Sequence, residues 1–215
     1  MIKPSELYHG GSPALPGVEG CALAVIDMQN AYCDPAGYFA SRATDKQACA
    51  RVVQPCRQVI DAARRAGVPV IYVVKVSFSE RVPTIGFHNA KRDAGGLMLA
   101  DSWDGAVIDA LRPQPGEPLV QKLGYSAFHG TGFDPMLRRM GIRQLALIGV
   151  TTSICVESTV RDAAQHGLDV YVARDASAEW EPARHEQSIA QMGYAFARIV
   201  TAQQLVEAWE AEKAL

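Results

Sequence analysis

No stretch of the chain approaches the run of about 18 apolar residues that a membrane-spanning helix needs. No Lys/Arg run marks a nucleic-acid or anionic-membrane footprint. Twenty-one basic residues against twenty-three acidic ones leave a net charge of -2, so neither nucleic acid nor a membrane is expected as a partner and a small molecule is. The segment Met1–Gly20 mixes Pro, Gly and polar residues without a basic start and an apolar middle. It is expected to be an N-terminal extension rather than a secretory leader. The five cysteines, at 21, 33, 49, 56 and 155, are odd in number and lack paired short spacings. That excludes a disulfide scaffold or a cysteine zinc site and favours a reducing, cytoplasmic setting. Repeats, linkers and low-complexity segments are absent as well.

What is present is a chain of 215 residues with 48% hydrophobic content, enough for one sizeable core, so residues 1–215 are expected to form a single domain. Short, β-branched apolar runs predict buried strands at Ala22–Asp27, Val68–Val74, Pro118–Lys122, Gln144–Val150, Asp169–Asp175 and Ala197–Ala202. Helical spacing predicts helices at Asp45–Ala66, Ser102–Leu111, Asp134–Met140, Cys155–His166, Pro182–Gly193 and Ala202–Lys213. Arg64-Arg65-Ala66-Gly67 and Arg138-Arg139-Met140-Gly141 read as two helix endings, with basic residues on the last turn and glycine as the left-handed cap. Alternating strands and helices imply an α/β fold: a three-layer α/β/α arrangement around a six-stranded parallel sheet, Rossmann-like. The stretch Ser77–Ala100, with Pro83, Gly86 and Gly95-Gly96, has no clean period and reads as a long loop.

Ligands of open parallel sheets bind outside the carboxyl ends of the strands. Three polar residues fall there. Asp27 closes the first strand, Lys122 closes the third, and Cys155 follows the fourth at the start of a helix. A helix N-terminus and a nearby ammonium both favour a thiolate, so Cys155 is expected to ionise readily, with Asp27 as the base that takes its proton and later returns it to a leaving amine. Taken singly, each has an ordinary alternative: a turn aspartate, a solvated lysine, a buried small cysteine. The combination points to nucleophilic catalysis.

Three ordered segments carry a family likeness: Ala24-Val25-Ile26-Asp27-Met28-Gln29-Asn30, Gln121-Lys122-Leu123-Gly124-Tyr125-Ser126-Ala127-Phe128 and Gly149-Val150-Thr151-Thr152-Ser153-Ile154-Cys155-Val156. Together they resemble the signature of isochorismatase-like cysteine hydrolases, over roughly residues 20 to 205. The resemblance implies Asp27, Lys122 and Cys155 as a catalytic triad. It also implies a non-proline cis peptide between Val150 and Thr151, and an oxyanion hole formed by the backbone N–H groups of Thr151 and Cys155.

Within that family the motifs are most similar to ureidoacrylate, biuret and N-carbamoyl amidohydrolases. Asp27–Tyr32 with Gly37-Tyr38, Ser102-Trp103-Asp104, Pro113–Gly116, Tyr125–Phe128 and Cys155–Asp162 carry that likeness. It implies hydrolysis of a C–N bond of a small ureido or carbamoyl compound through a thioester, without a cofactor. Vinyl-ether hydrolysis of the isochorismatase type and a non-catalytic binding homologue stay as alternatives. Nicotinamidases of similar fold carry an Asp-x-His metal cluster after the second strand. Lys75-Val76-Ser77-Phe78-Ser79-Glu80 stands here instead, so no metal is expected, and His9, His88, His129, His166 and His185 show no ligand spacing. Of these only His88 is kept as a pocket candidate. Asn30, Tyr32, Phe78 and Tyr125 flank the triad positions or begin the variable loop and are the candidates for substrate binding. Lys75, Arg81 and Lys91 are weaker candidates to pair with a substrate carboxylate. Family resemblance implies a homo-oligomer, dimer or tetramer.

Overall fold

The computed structural model describes residues 15–77 and 98–213. Six strands form one sheet of order β3-β2-β1-β4-β5-β6: β1 (Cys21–Ile26), β2 (Val70–Lys75), β3 (Leu119–Lys122), β4 (Gln144–Val150), β5 (Asp169–Ala178) and β6 (Arg198–Val200). Every pairing between them is parallel. The helices are α1 (Asn30–Cys33), α2 (Val53–Ala66), α3 (Phe133–Arg139), α4 (Glu157–Gln165), α5 (Pro182–Ala195) and α6 (Ala202–Lys213).

Strand residues alternate between two apolar cores, one on each face of the sheet, as the two-residue period of a strand requires. Cys21, Leu23 and Val25 of β1, with Ala146 and Ile148 of β4, join the core beneath α2 and α6, which buries Trp209. Ala22, Ala24 and Ile26, with Leu145 and Leu147, join the core beneath α3, α4 and α5. Burial on both faces is why these strands read as continuous apolar runs. Cys49 and Cys56 both lie in the first of these cores.

Two glycines are demanded by the backbone. Gly67 caps α2 at φ 80°, donating to the carbonyls of Ala63 and Arg64. Gly149 sits at φ 120°, and a Cβ there would meet the Ile26 carbonyl oxygen at 2.1 Å. Its bareness lets the carboxyl ends of β1 and β4 close together, where strand order reverses.

Four sequence-based boundaries are corrected. The helix expected from Asp45 starts at Val53, after a 3-10 turn at Ala50–Val52. This leaves Pro55 in the first turn, where its missing N–H has no intrahelical partner to lose. The helix expected over Ser102–Leu111 is a series of turns with one 3-10 turn at Asp109–Leu111. The helix expected from Cys155 opens earlier, as a π turn over Thr152–Val156. Strand β5 runs past Asp175 to Ala178 because, after an irregularity between Leu147 and Gly149, β4 resumes pairing at Gly149–Ser177 and Val150–Ala178.

Candidate active site

Asp27, the residue after β1, takes a left-handed conformation at φ 49°, which aspartate tolerates better than most residues. Its N–H donates to the Val73 carbonyl at 2.8 Å and its carbonyl accepts from the Gln29 N–H at 2.7 Å, which fixes the turn. Lys122 ends β3 on the inward face, following the buried Val120, while Leu119 and Gln121 face out. Both Asp27 and Lys122 are buried, with no exposed side-chain surface.

The Lys122 Nζ donates to Asp27 Oδ2 at 2.7 Å, to Cys155 Sγ at 3.4 Å and to the Gly124 carbonyl at 3.3 Å. Three donors meet three acceptors, and the three sequence-distant residues converge on one ammonium. Burial works against that charge, but Asp27 and Cys155 outweigh it and hold the Lys122 pKa above the usual lysine value. Asp27 Oδ1 is buried and has no hydrogen-bond partner.

Cys155 lies inside the π turn and is 4% exposed. Its carbonyl accepts from Thr159 Oγ1 at 2.8 Å, and Thr159 Oγ1 in turn accepts from the Ala127 N–H at 3.1 Å, tying the turn that carries Cys155 to the segment after Lys122. The readily ionised thiolate expected from the sequence is not what this setting gives. Burial, then the Asp27 carboxylate, push the thiol up to about 12 against the lowering effect of Lys122. The peptide bond Val150–Thr151 is cis.

Of the substrate-binding candidates, Tyr32 is buried within electrostatic reach of Asp27 and Cys155. Burial first and those two groups next hold its hydroxyl well above the usual tyrosine pKa. Tyr125 is half-buried near Cys155 and Lys122. Lys75, the register partner of Lys122, donates to the Leu123 carbonyl at 2.8 Å and stands 5.5 Å from the Tyr125 ring centre. Asn30 commits its Nδ2 to the Trp103 carbonyl at 2.8 Å, so it holds a loop in place. Phe78, His88, Arg81, Lys91 and His9 lie outside the described residues. His166 pairs with Asp134 at 3.2 Å, away from the triad, and His129 is exposed. His185 Nδ1 lies 2.9 Å from Thr152 Oγ1, and burial holds its pKa below the usual histidine value.

Residues 21–204 match the isochorismatase domain family. The chain belongs to the isochorismatase family. It is 38% identical over 164 residues to the ureidoacrylate amidohydrolase RutB of Azorhizobium caulinodans, covering 70% of this chain and 72% of that one. Among solved structures it resembles a cysteine hydrolase from Pseudomonas syringae pv. phaseolicola, with TM-score 0.81, 27% identity and coverage of 94% and 99% of the two chains. It also resembles the N-carbamoylsarcosine amidase of Thermoplasma acidophilum, with TM-score 0.68, 30% identity and coverage of 85% and 96%. The six-stranded parallel sheet is thus an isochorismatase-family α/β/α sheet.

Sequence reasoning passed over several residues that build this isochorismatase-family site. Gln29, fully buried, accepts from the Lys75 N–H at 2.9 Å and donates to the carbonyls of Lys75 at 2.9 Å and Gly105 at 2.7 Å. Its side chain thereby continues the sheet beyond the end of β1. Glu179 Oε2 accepts from Ser153 Oγ at 2.6 Å and from the Ser153 N–H at 3.3 Å, bracing the π turn two residues before Cys155. Phe39 and Trp180 stack with Tyr32, at 4.9 Å and 6.1 Å between ring centres. Gln29 follows Asp27 within the first motif, a signal that was visible. Glu179 and Trp180 lie past the expected end of β5 and carried none.

Proposed function

We propose that this chain is a cysteine amidohydrolase that cleaves a C–N bond of a small ureido or carbamoyl compound, with Cys155 as nucleophile, Asp27 as base and acid, and Lys122 as the cation holding both. The observation that carries the reading is the buried Lys122 ammonium shared by Asp27 Oδ2 and Cys155 Sγ. The likeness to a ureidoacrylate amidohydrolase and an N-carbamoylsarcosine amidase supports the substrate class.

The Cys155 thiol gives its proton to Asp27, whose Oδ1 has no other partner, and the sulfur attacks the carbonyl carbon. The backbone N–H groups of Thr151 and Cys155 receive the oxyanion. Collapse breaks the C–N bond, and the leaving ammonia or amine takes the proton back from Asp27. Water, deprotonated by Asp27, then hydrolyses the thioester and the sulfur leaves as thiol. Where the acyl group is a carbamoyl, the product is carbamate. Lys122 supplies the counter-charge to the buried Asp27 carboxylate and offsets negative charge on sulfur while the proton is away.

We further place the enzyme in the cytoplasm, as a homo-oligomer. Among the described residues no helix is long and apolar enough to cross a membrane.

Ammonia release from ureidoacrylate, biuret, N-carbamoyl amino acids, nicotinamide and maleamate, with and without iodoacetamide, tests the reading. Turnover should concentrate on the ureido and carbamoyl compounds and vanish on alkylation. Ammonia release that survives alkylation of Cys155 would rule out Cys155 as the nucleophile.

A further inference from the structure

Among the described residues, five buried side-chain polar atoms have no hydrogen-bond partner: Asp27 Oδ1, Ser177 Oγ, Trp180 Nε1, Arg198 Nε and Trp209 Nε1. Three of them, on Asp27, Ser177 and Trp180, lie at the carboxyl ends of β1 and β5, the edge of the sheet that carries the triad. A buried indole N–H normally finds an acceptor. No protein group among the described residues accepts from the Trp180 indole N–H.

The surroundings of Trp180 are built to hold it still. Its backbone N–H donates to Glu179 Oε1 at 2.9 Å, while Glu179 Oε2 holds Ser153 Oγ at 2.6 Å. One carboxylate therefore fixes both the tryptophan and the turn that carries Cys155. The indole stacks on Tyr32 with ring planes 26° apart, and Phe39 lies on Tyr32 with planes 10° apart, its centre 6.3 Å from the Trp180 ring. Tyr32 is itself within electrostatic reach of Asp27 and Cys155. The three rings form a wall that runs from the reacting groups to the indole. Asp27 Oδ1 and Trp180 Nε1 are both buried without a hydrogen-bond partner, and Tyr32 is the ring that links the indole to the reacting groups.

We infer that Trp180 is a specificity-determining residue: its indole N–H donates to an acceptor oxygen, carboxylate or carbonyl, at the end of the substrate remote from the scissile bond, while the Tyr32–Phe39–Trp180 wall packs along the planar ureido group. The inference rests on the ureido reading of the site and adds the requirement for a second oxygen.

Calorimetric titration of Cys155→Ala protein, with and without Trp180→Phe, separates the two claims. Phenylalanine keeps a ring in the wall and removes the donor. The ligands are 3-ureidopropionate, 3-ureidopropionamide and (3-methylbutyl)urea, which matches their shape without a terminal oxygen. Trp180→Phe should weaken an oxygen-bearing ligand by about tenfold or more and leave the methylbutyl compound within about twofold. Loss confined to the acid identifies a carboxylate acceptor, and loss confined to the amide identifies a carbonyl. Equal change for all three ligands, or no change for any, overturns the inference while leaving the ureido reading intact if the wild-type protein hydrolyses them. Failure of all three to bind or be hydrolysed overturns both.

Discussion

Lys122 spends its three ammonium protons on Asp27, Gly124 and Cys155, so its loss and the loss of Asp27 should be felt differently. Lys122→Met leaves the Asp27 carboxylate buried with no counter-charge. Expected are loss of turnover and a stability loss of about 3–5 kcal/mol, read from the midpoint of chemical denaturation. Asp27→Asn removes the carboxylate that, after burial, does most to raise the Cys155 thiol, and leaves Lys122 to lower it. The sign follows from charge: a negative neighbour disfavours thiolate and an ammonium favours it. Thiolate absorbance near 240 nm should therefore appear at lower pH in Asp27→Asn than in the wild-type protein, whose thiol is held up to about 12. Turnover should nonetheless fall by at least about a hundredfold, because the proton has no carrier. A variant that ionises more readily yet works less well separates acid–base transfer from simple thiolate supply. The triad was legible as three polar residues at strand ends. The state of its thiol was not, because sequence shows a helix start and cannot show burial against Asp27.

At the scale of elements, what the sequence concealed follows from competition for backbone groups. Ser102–Leu111 has helical spacing and makes one i to i+4 bond, from the Ala106 N–H to the Ser102 carbonyl, but the next four carbonyls are taken from outside. Asp104 and Ala106 accept from the N–H groups of Ala31 and Asn30, Gly105 from the Gln29 side chain, and Trp103 from that of Asn30. Ser102 Oγ donates to the Leu99 carbonyl and accepts from the Gly105 N–H. Carbonyls so engaged do not build i to i+4 bonds, and the segment becomes the strap that holds α1 beneath the site. The buried runs of β1, β2 and β4, by contrast, were readable because both of their faces are covered. Gly149 joins these elements at the place where strand order reverses. Gly149→Ala should destabilise the protein by at least about 2 kcal/mol, since it combines a clash with the Ile26 carbonyl and an unfavourable φ. Thermal denaturation of that variant checks it, and a stability equal to wild type would show that β1 and β4 are not pinned there.

Across the whole molecule, the strand order β3-β2-β1-β4-β5-β6 brings positions 27, 122 and 155 to one edge although long loops and helices separate them in sequence. Alternation of strand and helix was enough to anticipate a parallel sheet with both faces covered. It did not give the strand order, which depends on which crossover passes over which face. Isochorismatase-family membership fixes the scaffold, and the proposed cycle on it is covalent, with the acyl group passing through the sulfur of Cys155. Intact-protein mass spectrometry after rapid acid quench during turnover of a ureido substrate tests that claim most directly. A transient acyl or carbamoyl adduct should map to Cys155 and be missing, together with turnover, in Cys155→Ala. Ammonia release by Cys155→Ala at the wild-type rate, with no adduct in either protein, would contradict it.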